Sequence, residues 1–124
     1  MFSHIVVGAD DLSAAKRFYD AALGALGYGP GAEMGDRVIY SAPTGILMVT
    51  KPFDGGRASF GNGITIGLTA SSVTAVDAFH AGGVAAGGTD EGAPGPRAAI
   101  PNSYAAYLRD PTGNKLVAWC VRES

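Results

Sequence analysis

The sequence of 124 residues contains a single cysteine, Cys120, and two histidines, His4 and His80. One cysteine cannot form a disulfide within the chain or a metal-binding cysteine pair. No stretch reaches the roughly 18 apolar residues of a membrane-spanning helix. The N-terminus also lacks the basic region and the apolar core of a signal peptide. We therefore expect a soluble, cytoplasmic protein without a membrane partner.

Clusters of basic residues are also missing. Nine lysine and arginine residues stand against 11 aspartate and glutamate residues, and the net charge is -2. Nucleic-acid backbones are bound by clustered cations, so we expect no nucleic-acid partner. The glycine-rich segments 27–31 and 61–67 match neither G-x-G-x-x-G nor a P-loop. Hydrophobic residues make up 47% of the chain, which is enough for the core of one domain over residues 1–124.

The chain repeats itself. Residues 1–27 align with residues 62–88 at an offset of 61, and Phe18 then falls on Phe79. In each half a short apolar run precedes two residues suited to cap a helix, Asp10-Asp11 and Ser71-Ser72. Apolar residues at helical spacing follow in both halves. The second helix is predicted to be weaker, because Gly82 and Gly83 fall in its last turn.

Strand-like runs follow each helix, at 37–41 and 45–50 in the first half and at 103–110 and 115–121 in the second. The connectors 42–46 and 110–114 share Pro-Thr-Gly, which is typical of hairpin turns. The pattern predicts an α+β protein of two βαβββ modules, about 1–60 and about 61–124, whose strands form a curved mixed half-barrel with the helices outside. Segment 88–103, with three prolines and three glycines, is predicted to be a loop that forms either a lid or a dimer contact.

This plan resembles the vicinal oxygen chelate superfamily, which includes glyoxalase I, bleomycin-resistance proteins and extradiol dioxygenases. The segments that carry the resemblance are HIVVGADDLSAAKRFYDAALGALGY, KPFDGGRASFGNG, AVDAFHAGG and YLRDPTGNKL. RDPTGNKL is the most specific of them, because it is similar to the DPDGN turn before the family's last strand. The resemblance implies a homodimer with a ligand cavity inside each curved sheet.

The resemblance also implies where a metal would bind. In metal-dependent members four positions hold the ion, on the first and last strands of each module. The first matches His4 and its repeat partner is Thr65, while the others fall on Leu47 or Met48 and on Val117. A divalent cation needs at least three fixed nitrogen or oxygen donors, and one histidine does not supply them. We therefore expect no metal and no other cofactor.

The predicted cavity is mostly apolar with a few polar groups, as small-molecule sites often are. Tryptophan and tyrosine could stack on a flat ligand, and an arginine could hold an anionic group. Strand alternation lets only half of the candidates face the cavity. The candidate pocket residues are His4, Arg37, Met48, Thr65, Tyr104, Tyr107, Val117 and Trp119.

Three functional hypotheses follow. The favoured one is a small organic molecule bound in a metal-free cavity. The first alternative is a metal-dependent lyase, isomerase or dioxygenase in which His4 acts with unrecognised or partner-chain ligands. The second alternative is an interaction module whose cavity is packed shut.

Overall fold

The computed structural model describes residues 1–122; residues 123 and 124, the end of the predicted second module, lie outside the described residues. Two helices and eight strands follow one another within residues 1–122 as βαβββ twice, so the predicted α+β duplication is confirmed. The elements are β1 (His4–Gly8), α1 (Leu12–Ala25), β2 (Ala32–Met34), β3 (Arg37–Ala42), β4 (Gly45–Thr50), β5 (Ile66–Thr69), α2 (Val73–Ala85), β6 (Thr89–Pro96), β7 (Ser103–Arg109) and β8 (Lys115–Val121).

Each module contributes one mixed four-stranded sheet. Sheet 1 has the order β1-β4-β3-β2 and sheet 2 has the order β5-β8-β7-β6. The first strand of each module pairs in parallel with the last strand of that module, β1 with β4 and β5 with β8. Val6 lies opposite Met48, and its repeat counterpart Gly67 lies opposite Val117. Met48 and Val117 therefore occupy matching positions, which decides between Leu47 and Met48 as the counterpart of Val117.

The helix starts agree with the sequence pattern. The Asp11 side chain accepts a hydrogen bond from the Ala14 amide at 2.9 Å, and the Ser72 side chain accepts one from the Ala75 amide at 3.1 Å. Such caps satisfy amide groups that have no partner within the first helical turn. Neither helix found in residues 1–122 combines the length and the hydrophobicity needed to cross a membrane.

Side chains from both modules form one hydrophobic core cluster, in which Phe18 of α1 and Phe79 of α2 are fully buried. Gly83 lies where α2 approaches Phe18 and Leu108, and a Cβ atom there would collide with Leu108. The glycine that weakens α2 locally therefore permits close packing between α1, α2 and sheet 2.

Half of the segment predicted to be a loop, Thr89–Pro96, is instead the strand β6. β6 pairs antiparallel with β7, and the register shifts between Asp90 and Gly92 and again between Gly92 and Gly95. Prolines are tolerated in this strand because it lies at the edge of sheet 2, where one side of the backbone needs no partner. Its position in the sheet shows that this part of the segment is not a lid.

Candidate functional site

The first group of candidate residues lies on one face of sheet 1. Leu47 and Val49 of β4 point into the core, so the alternating Met48 points to the opposite face, which we call the open face. His4 is exposed on this face. Arg37 lies there too, and its Nη1 atom is 3.7 Å from the Met48 sulfur. Three of the predicted residues therefore share one surface.

A second group lies on the open face of sheet 2, on the side of β7 and β8 away from the core cluster. Tyr107 lies opposite Val117 in the β7–β8 pair, and Trp119 follows two residues later on the same face. Two cations flank the tyrosine: Arg97 Cζ is 5.5 Å and Lys115 Nζ is 5.2 Å from the centroid of the Tyr107 ring. This surface combines aromatic rings with positive charge.

Tyr104 does not join that group. It is three residues from Tyr107 in one strand, so the two side chains point to opposite faces. The Tyr104 hydroxyl donates a 2.6 Å hydrogen bond to Asp77 of α2, and this bond raises the pKa of the phenol. The odd spacing in the sequence already separates the two tyrosines. Thr65 precedes β5 and is exposed there.

A cavity of about 680 Å³ lies where the two modules meet. We call it the seam cavity. It is bounded by residues 1–5, the C-terminal end of α1, the β3–β4 hairpin and β5. Of the predicted site residues that the structure describes, His4 alone lines it. Other lining residues, which the sequence analysis missed, include Leu23, Leu26, Tyr28, Ser41, Thr69 and Ser71.

His4 is held at the edge of the seam cavity by its neighbours. Its Nδ1 atom is 2.8 Å from the Ser3 hydroxyl oxygen, and the Ser3 carbonyl accepts a 3.3 Å hydrogen bond from the Ile46 amide. When the serine hydroxyl donates to Nδ1, the ring proton is on Nε2. His4, one of the residues that line the cavity, then has an N–H donor at Nε2.

Arg37 also borders a second, more polar cleft of about 550 Å³ at the N-terminal end of α1. The charged residues that line this cleft are Asp10, Asp11, Glu33, Asp36, Arg37 and Lys51. Nowhere in residues 1–122 do three or more histidine, cysteine, aspartate or glutamate side chains come together in a group that could hold a metal ion.

His80 and Cys120 lie outside both cavities, the first in a hydrogen bond with Asp90 and the second in the core. His80 Nε2 is 2.8 Å from Asp90 Oδ1. The hydrogen bonds from His80 and from the Gly92 amide lower the pKa of the Asp90 carboxyl. Cys120 is a buried thiol in the core cluster.

The model of the family described as Glyoxalase/Bleomycin resistance protein/Dioxygenase superfamily matches residues 1–118. The chain belongs to this superfamily. A glyoxalase/bleomycin resistance protein from Albidiferax ferrireducens T118 is 50% identical to it, with a TM-score of 0.90 over 96% of this chain and 97% of that one. No curated protein matches the chain.

Two less similar solved structures share the fold. A glyoxalase-related enzyme from Fulvimarina pelagi is 21% identical, with a TM-score of 0.77 over 96% of this chain and 86% of that one. Lactoylglutathione lyase from Agrobacterium tumefaciens is 23% identical, with a TM-score of 0.65 over 96% of this chain and 92% of that one. At these identities the likeness concerns architecture, because one fold supports many chemistries.

Proposed function

We propose that this superfamily member binds a small organic molecule in the seam cavity and holds no resident metal. The observation that carries the proposal is the cavity itself, about 680 Å³ in volume, between apolar walls and a polar edge at His4. Ligand pockets in proteins have volumes of about 300–1,000 Å³ and this same mixed composition. An open cavity of this size also favours ligand binding over an interaction module that is packed shut.

The chemistry of the four family metal positions supports the absence of a resident metal. His4 offers a good nitrogen donor and Thr65 a weak hydroxyl donor. The other two positions hold the thioether of Met48 and the aliphatic chain of Val117. Zinc, nickel and iron(II) sites are built from histidine, cysteine and carboxylate ligands. These side chains do not fit a divalent ion, so no reaction step is assigned to one.

The open faces support a proposal about assembly. Apolar side chains are exposed there, including Val6 at 48% and Ile46 at 38% of their possible surface on sheet 1, and Val121 at 57% on sheet 2. Contiguous exposed apolar surface is typical of protein contacts. We propose a cytoplasmic homodimer without nucleic-acid or membrane partners. Sedimentation equilibrium tests the assembly, and a monomer at micromolar concentration would contradict it.

Blocking the seam cavity tests the proposed function. Ser41 is an exposed residue of β3 that lines the cavity, so Ser41→Trp is expected to fill the opening while the strand is kept. Native mass spectrometry after incubation with a small-molecule cell extract is expected to show bound compounds on the wild type and at least about tenfold less on Ser41→Trp.

Met34→Trp is the matched control for that experiment. Met34 is a strand residue with 62% of its surface exposed, and it lines neither the seam cavity nor the second cleft. The control is expected to retain the compounds bound by the wild type. Equal binding by Ser41→Trp and Met34→Trp would show that the ligand binds elsewhere, and no binding by any of the proteins would contradict the proposal.

A further inference from the structure

We infer that the ligand of the seam cavity is an uncharged, largely apolar molecule that forms a few hydrogen bonds with the cavity. The inference rests on the proposed function and narrows it to a ligand class. Leu23 of α1 and Leu26, the residue that follows this helix, form one wall, and Ile66 and Leu68 of β5 contribute another. Contact with such walls favours apolar surface, since its transfer out of water drives binding.

The polar side chains of the cavity are neutral hydroxyls and one imidazole. Among the lining residues, all within the described part of the chain, there is no aspartate, glutamate, lysine or arginine. The hydroxyls belong to Ser3, Tyr28, Tyr40, Ser41, Thr44, Thr69 and Ser71, and the imidazole belongs to His4. These groups can form hydrogen bonds with a ligand, but the hydroxyls cannot neutralise its charge.

The ion pair behind the cavity does not change this conclusion. Tyr40 lines the cavity, but its hydroxyl donates a 2.7 Å hydrogen bond to Asp20 Oδ1. The other carboxylate oxygen of Asp20 is 2.7 Å from the Lys16 ammonium group, and the Gly31 amide donates to Oδ1 at 2.9 Å. Asp20 is thus already paired with a cation, and its oxygens already accept hydrogen bonds from the protein.

A charged ligand would lose part of its hydration in this cavity without gaining an ionic partner among the lining side chains. The one charged group of the lining residues is the backbone ammonium group of Met1, a residue that is fully exposed to water, where ionic contacts are weak. The loss of hydration disfavours binding of either sign of charge, because buried charges require a counter-charge or several hydrogen bonds. A neutral molecule with one hydroxyl or carbonyl loses much less hydration. It can replace a water contact by a hydrogen bond to the His4 imidazole or to a nearby hydroxyl. The cavity therefore selects against charge.

Three molecules with the same ring and different charge test the inference. They are 2-naphthalenemethanol, 2-naphthoate and 2-naphthylmethylammonium, titrated calorimetrically at pH 8, where imidazole side chains are ordinarily neutral. The alcohol is expected to bind the wild type with a dissociation constant at least about tenfold lower than either ion. Ser41→Trp is expected to abolish this binding, and Met34→Trp is expected to retain it.

The other outcomes separate the two proposals. If an ion binds as tightly as the alcohol and Ser41→Trp abolishes its binding, the cavity is a ligand site but the inferred ligand class is wrong. If the alcohol binds equally to the wild type and Ser41→Trp, its site is not the seam cavity and the inference is wrong. If none of the three binds at millimolar concentration while the extract compounds do, the inferred class fails and the proposed function stands. If neither the three molecules nor the extract compounds bind, both fail.

Discussion

Asp110→Ala is expected to lower the free energy of unfolding by at least about 3 kcal/mol. Asp110 is only 4% exposed, and its carboxylate organises the turn between β7 and β8. Oδ1 accepts hydrogen bonds from the amides of Thr112, Gly113 and Asn114 at 2.9–3.0 Å. Oδ2 accepts from the Asn114 side chain at 2.9 Å and from the Tyr19 hydroxyl at 2.6 Å. Alanine would remove the carboxylate that all five donors share, and only the Gly113 amide would keep a partner, the Asp110 carbonyl at 2.9 Å.

Chemical denaturation of Asp110→Ala and of Asp54→Ala measures this effect. Asp54 also accepts an amide hydrogen bond, from Gly56 at 2.9 Å, but in an exposed loop. We expect Asp54→Ala to change the unfolding free energy by less than about 0.5 kcal/mol. A loss below about 1 kcal/mol in Asp110→Ala would contradict the role given to this carboxylate.

Tyr19→Phe separates the contact with α1 from the turn itself. Burial, reinforced by the charge of Asp110 and the hydrogen bond to it, holds the pKa of Tyr19 well above its usual range, so the phenol remains a donor. The phenylalanine variant keeps the ring and removes one donor of the five. Its expected loss, about 1.5–3 kcal/mol, is smaller than that of Asp110→Ala.

Gly113→Val is expected to destabilise the protein by about 2–3 kcal/mol. Gly113 has a φ of 109°, where a β-branched residue is strained. A Cβ atom at this position would also lie 2.5 Å from Cδ1 and 2.7 Å from Cε1 of Phe60. The Phe60 ring would have to move. This movement would disturb the contact of the ring with Arg109, whose Cζ is 5.3 Å from the ring centroid.

Gly63→Val is the control that introduces the same backbone strain without a steric clash. Gly63 has a similar φ of 96°, but no heavy atom lies within 4 Å of the position that its Cβ would take. Thermal and urea unfolding are expected to show a loss of about 1 kcal/mol in Gly63→Val and a larger loss in Gly113→Val. When Phe60→Ala is combined with Gly113→Val, the loss of stability caused by Gly113→Val is expected to approach that of Gly63→Val, because the colliding ring is gone. Unchanged melting of Gly113→Val would show that the turn lacks the inferred geometry.

Local chemistry explains why much of the fold could be predicted from the sequence. Capping residues, helical periodicity and the two Pro-Thr-Gly connectors act over a few residues, so each half shows its βαβββ order without the other. β6 escaped prediction because its glycines and prolines are typical of loops. Only its pairing with β7 at the edge of sheet 2, a long-range contact, makes this segment a strand.

The candidate site was predicted less completely. Alternation alone distinguishes Tyr104 from Tyr107 once β7 is recognised, because an odd spacing places the two side chains on opposite faces of the sheet. The seam cavity was not predictable in the same way. It forms where Leu23 and Leu26 at the end of α1 meet β5 of the other module, and no pattern within either segment records that packing. His4 was found because the family resemblance marked it.

The metal content of the protein, purified without chelators, tests the central claim most directly. Elemental analysis is expected to find nickel, zinc, manganese and iron at background in the wild type, in His4→Ala and in the control His80→Ala. His80 contacts Asp90 away from the seam cavity, so this control removes an imidazole without changing the site. A near-stoichiometric divalent metal that is present in the wild type and lost in His4→Ala would contradict the account.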